Sequence, residues 1–313
     1  MNSFAAFFKL VRWVNLVFIA LTQILFYYLV LPFVYAGNST HGPYLSQPDF
    51  FILIATSVCI AAAGYIINDY FDLNIDLVNK PDRLIIEKYI KRRWAILLHV
   101  LLSLTGFVLS CYVGWHIRNI YIPFFNLISI AALWFYSTTF KKQILAGNVI
   151  ISLLTAWVIL IITVAEYQFN IGNAANTFFA SRLLKVSFVY AGFAFVISLI
   201  REVVKDMEDI DGDMKYGCNT MPIAWGIPAS KVFAGVWLVV LIADIAIIQF
   251  YVVHLGWWLS SLYSFILIVY PLILIIKKLY EAHTTAHFHH LSRLIKFVML
   301  TGILSMVFFR LYS

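Results

Sequence analysis

Nine apolar runs of membrane-crossing length divide the chain, at about 13–36, 48–67, 94–115, 119–137, 147–166, 182–201, 231–254, 257–276 and 296–312. A helix needs about 20 mainly apolar residues to cross the hydrocarbon core of a bilayer. The pattern therefore predicts an all-α, polytopic membrane protein with nine transmembrane helices. No long Pro/Gly/Ser-rich linker separates the runs, so residues 1–313 read as a single membrane domain. Lys9 and Arg12 precede the run from Val14 to Tyr35. That run is too long for the apolar part of a signal peptide and reads as a retained first span. Runs two to four and six to eight repeat the order span, acidic loop, span, which suggests a weak internal duplication.

The basic residues orient this layout. With the N-terminus in the cytoplasm and the runs alternating, 18 of the 22 Lys and Arg residues fall on the inner side. Arg118, Arg182, Lys185 and Arg310 fall outside. Cytoplasmic loops carry such an excess, so the expectation is N-in/C-out, an integral protein of the cell (inner) membrane.

Composition agrees. Apolar residues make up 63% of the chain and charged residues 12%, against about 25% charged in an average soluble domain. A soluble globule could not hide that much apolar surface. Aromatics, at 17%, suit interfacial belts and also a cavity for a polyunsaturated chain. The net charge of +7 is accounted for by short basic loops; no Arg/Lys stripe with an aromatic face offers itself to nucleic acid. Cys59, Cys111 and Cys218 have no C-x-x-C spacing and indicate neither a disulfide framework nor a zinc site.

The acids are less ordinary. Of 15, 11 lie in two cytoplasmic segments: Asp69, Asp72, Asp76, Asp82 and Glu87 after run two, and six between Glu202 and Asp213 after run six. Topology does not require this, because acids contribute little to orientation. Two facing clusters of one sign call for a cation.

In the first segment, Asn68, Asp72 and Asp76 recur every four residues. On a helix continuing from run two they share one face. Oxygen-only ligands of this kind suit Mg²⁺, which keeps several waters and bridges to substrate phosphate. A solvated acidic loop end is the ordinary alternative. Asp69 points off this face. Lys80 and Arg83 follow and could hold diphosphate oxygens, or serve only as topological anchors. In the second segment, Glu202, Asp206, Asp209 and Asp213 again fall on one helical face, with Val203, Met207 and Ile210 opposite. Gly212 is placed to end or bend the helix near Asp213. An EF-hand is excluded, because the ligand alternation and the terminal Glu are missing.

Taken together, the two segments resemble the UbiA superfamily of intramembrane prenyltransferases. The family pattern is N-D-x-x-D-x-x-x-D with a basic stretch, then D-x-x-x-D. Here these are Asn68, Asp69, Asp72 and Asp76, then Asp209 and Asp213. The resemblance covers nearly the whole chain, including Arg12 and Asn15, Tyr136-Ser137 followed by Lys141, and Gly147-Asn148. The wording of residues 201–213 is similar to the geranylgeranylglycerol-phosphate geranylgeranyltransferase branch. Trp13 and Leu84 stand where Pro is usual, both near the expected substrate entrance, which bears on the acceptor rather than on the chemistry.

The resemblance implies nine helices around a central cavity and Mg²⁺-dependent transfer of a prenyl group from an allylic prenyl diphosphate. The acceptor it implies is a prenylglyceryl phosphate hydroxyl, as in ether lipid synthesis. An aromatic acceptor of quinone biosynthesis, of 4-hydroxybenzoate or naphthoate type, is the alternative. It assigns Asn68, Asp72, Asp76, Asp209 and Asp213 to metal-linked diphosphate binding, with the four Asp carrying catalysis. Asp206 joins them at first or second remove. Lys80, Arg83, Lys141 and Lys205 are candidate diphosphate clamps. Arg12, with Asn15 and Asn148, belongs to substrate binding and would hold diphosphate or an anionic acceptor. Tyr136 would stabilise the allylic cation or bond phosphate, or act only as a belt tyrosine. The site would face the cytoplasm, without nucleic acid or an obligate protein partner.

Other features carry weaker signals. His283 and His287 have a spacing zinc can use, but lack H-E-x-x-H form, and His283–His290 reads as a polar loop. Asp244 within run seven should face protein or water. Asn38-Ser39-Thr40 is a glycosylation sequon. A cation-coupled transporter would also carry intramembrane acids. These acids sit at helix ends on one side, and no pair of broken spans marks a midplane site. A non-catalytic scaffold would not need two matched arrays.

Overall fold

The computed structural model describes residues 3–36, 43–81, 84–167 and 174–312. Asn38-Ser39-Thr40, Asp82 and Arg83 lie outside the described residues. Among the described residues, nine helices are long and apolar enough to span a membrane. They are Trp13–Tyr35, Gln47–Asn79, Arg92–His116, Tyr121–Thr138, Ala146–Glu166, Phe178–Glu208, Gly226–His254, Trp258–Glu281 and Thr285–Leu311. This is the predicted number in the predicted order.

Several helices outrun their apolar stretches. The second continues to Asn79 and the sixth to Glu208, so both acidic motifs begin on helix rather than in loops. The ninth starts at Thr285, where the Thr284 hydroxyl caps His287 N. The expected His283–His290 loop is therefore corrected: His287, His289 and His290 are helical. Cap chemistry and polar residues with good helix propensity extended these helices beyond what hydropathy could mark.

Ring topology positions the site. Spans one, two, four, five, six and nine pack in sequence around a cavity. Spans three, seven and eight pack outside them and contribute no cavity-lining residue. Outward residues such as Val100, Leu104, Val232, Val236 and Phe250 are exposed, as a lipid-facing surface requires. Spans one and eight each contain a π-helical turn, Phe26–Val30 and Phe265–Val269. Each lies just before a proline, Pro32 or Pro271. The proline ring crowds the carbonyl four residues back, and the widened turn relieves it.

Two buried carboxylates tie the end of the bundle opposite the acidic motifs. Glu166 accepts from Tyr35 Oη at 3.0 Å, Tyr44 N at 2.9 Å and Leu45 N at 3.0 Å. Asp49, held by the Ser46 cap of span two, meets His116 Nδ1 at 2.9 Å. Neither attracted notice in the sequence, because each acid stands alone there.

Candidate active site

The C-terminal ends of spans two and six converge on one cavity of about 510 Å³. Along span two, Asn68 Nδ2 donates to Asp72 Oδ2 at 2.7 Å. Asp72 is buried and also pairs with Lys141 Nζ. Asp76, one turn on, faces the cavity and has no ion pair among the described residues. Asn68 Oδ1 is buried and has no hydrogen-bond partner among the described residues.

Lys141 comes from the short turn Phe140–Lys142 between spans four and five. Two local features shape that turn. Leu145 adopts a left-handed conformation, φ 58°. A Cβ at Gly147 would meet Lys141 Cα and Phe140 O at 2.9 Å each, so only glycine lets the turn close over the start of span five. Burial works against a charged Lys141, but Asp72, Tyr136 and Asp76 together outweigh it and hold the ammonium above its usual pKa.

The second motif departs from one continuous helix. The backbone breaks at Asp209 and resumes as Ile210–Lys215. The reason is tertiary. Asn79 Nδ2 donates to Asp209 O at 2.9 Å, and Gly212 N donates to Asn79 Oδ1 at 2.8 Å. Gly212 thus lies inside the short helix, pressed on Asn79, instead of ending a helix as expected. Lys80 Nζ reaches both Asp209 oxygens, at 2.6 and 2.7 Å. Asp213 is buried, and burial pushes its carboxyl up to about 6 against the pull of Lys141.

Asp206 faces the cavity and accepts from Asn148 Nδ2 at 2.7 Å. Asn148 itself is buried behind that carboxylate and does not line the cavity. Lys205 and Arg201 share Glu202, each at 3.0 Å. Arg12, also left-handed at φ 51°, reaches Asp69 at 2.6 Å, so Asp69 faces the cavity instead of pointing away. Asn15 Oδ1 accepts from Lys296 Nζ at 2.7 Å. Tyr136 lines the same wall. All the predicted site residues other than Arg83 are therefore described, and all of these but Asn148 line one cavity. Asn79, Asp69, Arg201 and Lys296 were not singled out in the sequence as site residues. Asn79 had a local signal, since it lies three residues past Asp76 at the end of the first motif.

The donor set fits a divalent cation of Mg²⁺ type. No three His, Cys, Asp or Glu side chains among the described residues form a closed ion cage. Mg²⁺ uses one or two carboxylates together with waters and phosphate oxygens. An unpaired buried amide oxygen on Asn68 and the ion-pair-free carboxylates of Asp76 and Asp213 supply such an open set. Deeper in, Phe18, Ile19, Ile60, Leu133, Leu154 and Trp157 give the cavity an apolar floor.

Comparison with known proteins agrees. The chain is 32% identical over 274 residues to a digeranylgeranylglyceryl phosphate synthase of Sulfurisphaera tokodaii, covering 87% of this chain and 88% of that one. It is 32% identical over 232 residues to the synthase of that name from Sulfolobus acidocaldarius, covering 72% and 76%. A solved UbiA homolog from Aeropyrum pernix K1 superposes with a TM-score of 0.62 at 16% identity, covering 98% of this chain and 99% of that one. A UbiA homolog from Archaeoglobus fulgidus, bound to GPP and Mg²⁺, gives 0.59 at 14% identity, covering 96% and 99%. The model of the UbiA prenyltransferase family matches residues 24–299, and the chain belongs to that family.

Proposed function

We propose that this prenyltransferase moves a prenyl group from an allylic prenyl diphosphate to the hydroxyl of a prenylglyceryl phosphate, forming an ether, in the presence of Mg²⁺. The observation that carries the reading is two carboxylate sets meeting over an apolar-floored cavity, with Lys80 and Lys141 between them. An apolar chain lies on the floor while its diphosphate stays at the charged mouth. The acceptor follows the relatives at 32% identity, which are digeranylgeranylglyceryl phosphate synthases. We further take residues 1–313 as one domain, N-in and C-out in the cell membrane, with the mouth toward the cytoplasm. The inner excess of Lys and Arg supports that orientation.

Asn68, Asp72, Asp76, Asp209 and Asp213 would hold Mg²⁺, which neutralises diphosphate charge when bound. Lys141 and Lys80, now on Asp72 and Asp209, turn their donors to the diphosphate oxygens. The allylic C–O bond breaks and diphosphate leaves with the electron pair. Tyr136 presents a π-face to the allylic cation. The acceptor oxygen then bonds the allylic carbon, and its proton passes to the released diphosphate. Lys205 and Asp206 flank the departing group, and Asn148 fixes Asp206.

The test is purified protein incubated with Mg²⁺, a panel of allylic diphosphates, and both glyceryl-phosphate and aromatic acceptors, with products read by mass spectrometry. A prenyl ether of the glyceryl phosphate is expected. Exclusive C-prenylation of aromatic rings would replace the acceptor assignment, and no prenylated product from any pair would overturn the reading.

A further inference from the structure

Lys296 lies in the ninth span, lines the cavity, and meets no carboxylate among the described residues. Its Nζ donates to Asn15 Oδ1 at 2.7 Å and sits 5.2 Å from the Phe18 ring. An ammonium in an apolar span is costly, and such residues mark functional sites. Its charged neighbours have the same sign: Arg12 and Arg201. Arg12 is paired with Asp69, while Arg201 and Lys205 share Glu202. Four cations therefore meet two carboxylates at contact distance, an excess of two positive charges in contact pairs among the described residues. Arg201 Nε is also buried without a partner among the described residues. A buried donor left unsatisfied is unfavourable.

The neighbouring carboxylates have the reverse imbalance in contact ion pairs. Asp72 and Asp209 are paired with Lys141 and Lys80, while Asp76, Asp206 and Asp213 make no contact ion pair among the described residues and feel Arg12, Lys205 and Lys141 only at longer range. One pole of the cavity is short of cations and the other short of anions. A donor diphosphate with its metal satisfies the first pole only.

We propose that Lys296, with Arg201 and Asn15, forms a second anion subsite that receives the phosphate of the acceptor, apart from the donor diphosphate. This rests on the glyceryl-phosphate reading and deepens it. A phosphomonoester carries about −1.5 to −2 charge at neutral pH, which matches the excess of two. A carboxylate, with one charge, leaves half of it unmatched. Anchoring the phosphate on span nine leaves the glyceryl hydroxyl free to reach toward the carboxylate pole.

The experiment compares the wild-type protein with Lys296→Gln and Lys296→Arg. Binding of geranylgeranylglyceryl phosphate is measured without divalent metal, and KM is measured for donor and acceptor separately. Lys296→Gln should weaken acceptor binding and raise acceptor KM by at least roughly tenfold, the size of one lost charge-assisted bond. Donor KM should move far less, and Lys296→Arg should recover most of the loss. Geranylgeranylglycerol, lacking the phosphate, should be a poor acceptor for the wild type and little worse for Lys296→Gln. Arg201→Gln gives the same comparison should Lys296→Gln fail to fold. A wild-type preference for the phosphorylated acceptor that survives both variants unchanged would overturn the subsite, as would an equal rise in donor KM. A wild type that accepts only aromatic rings instead defeats the acceptor reading, before any variant is compared.

Discussion

Asn79 holds Gly212 across the mouth of the cavity: its side-chain oxygen accepts from Gly212 N at 2.8 Å, while its amide donates to Asp209 O at 2.9 Å. One amide thereby sets the relative position of two motifs more than a hundred residues apart in sequence. A Cβ on residue 212 would come within 2.5 Å of Asn79 Nδ2. Gly212→Ala should therefore displace the second motif. Expected is a fall in kcat/KM of at least about 30-fold with the spans intact by circular dichroism, since misplacement by about 1 Å costs on the order of a hundredfold. Asn79→Ala should act alike. Wild-type kinetics in both would show that the clamp is dispensable.

Asp72→Asn and Asp213→Asn keep the shape of each side chain and remove its charge. Each should reduce single-turnover prenyl transfer by at least about 10³-fold, the scale of a lost electrostatic contribution at a developing charge. Size-exclusion profiles in detergent should not change. Near-native turnover in either variant would remove that carboxylate from the metal-linked set.

Lys141→Met preserves the length of the side chain. It leaves Asp72 buried without its ammonium. Loss of roughly 10²–10³ in kcat is expected, together with a raised donor KM. The acceptor KM should shift less, and an effect confined to the acceptor would place Lys141 outside diphosphate binding.

Chelation should stop turnover, and added Mg²⁺ should restore it. Ca²⁺ takes six to eight ligands at longer distances and should restore little. Activity that persists after exhaustive chelation would contradict the open-donor reading of Asn68, Asp76 and Asp213.

Glu166 is expected to separate stability from chemistry. Removing a buried acceptor of three hydrogen bonds strands their donors, so Glu166→Ala should destabilise by about 2–5 kcal/mol. A thermal melt in detergent would report this as a clear downward shift. Turnover per folded molecule at low temperature should stay close to wild type, because Glu166 lies outside the cavity. A parallel loss of turnover would join the two ends of the bundle functionally.

Span number and order were legible because bilayer thickness imposes a length that hydropathy reveals. The two acidic motifs were legible because periodicity put Asn68, Asp72 and Asp76 on one face. Helix ends were less so: Asn79, Glu208 and Thr285 are polar positions where capping and propensity, not hydropathy, decide. The break at Asp209 had no local cause to read, since it follows from Asn79 in another helix. Pairings such as Arg12 with Asp69 and Lys296 with Asn15 depend on packing between remote spans. Lys296 counted in the sequence only toward orientation, which concealed that it faces inward. Glu166 and Asp49 stood alone among apolar residues and gave no pattern.

Spans three, seven and eight meet their neighbours and present exposed apolar faces but line no part of the cavity. Their outward side chains are thus free to drift with the thickness and fluidity of the host membrane. Adaptation to a colder or hotter bilayer, or transplantation into a foreign one, can be written on those three helices while the chamber stays as it is.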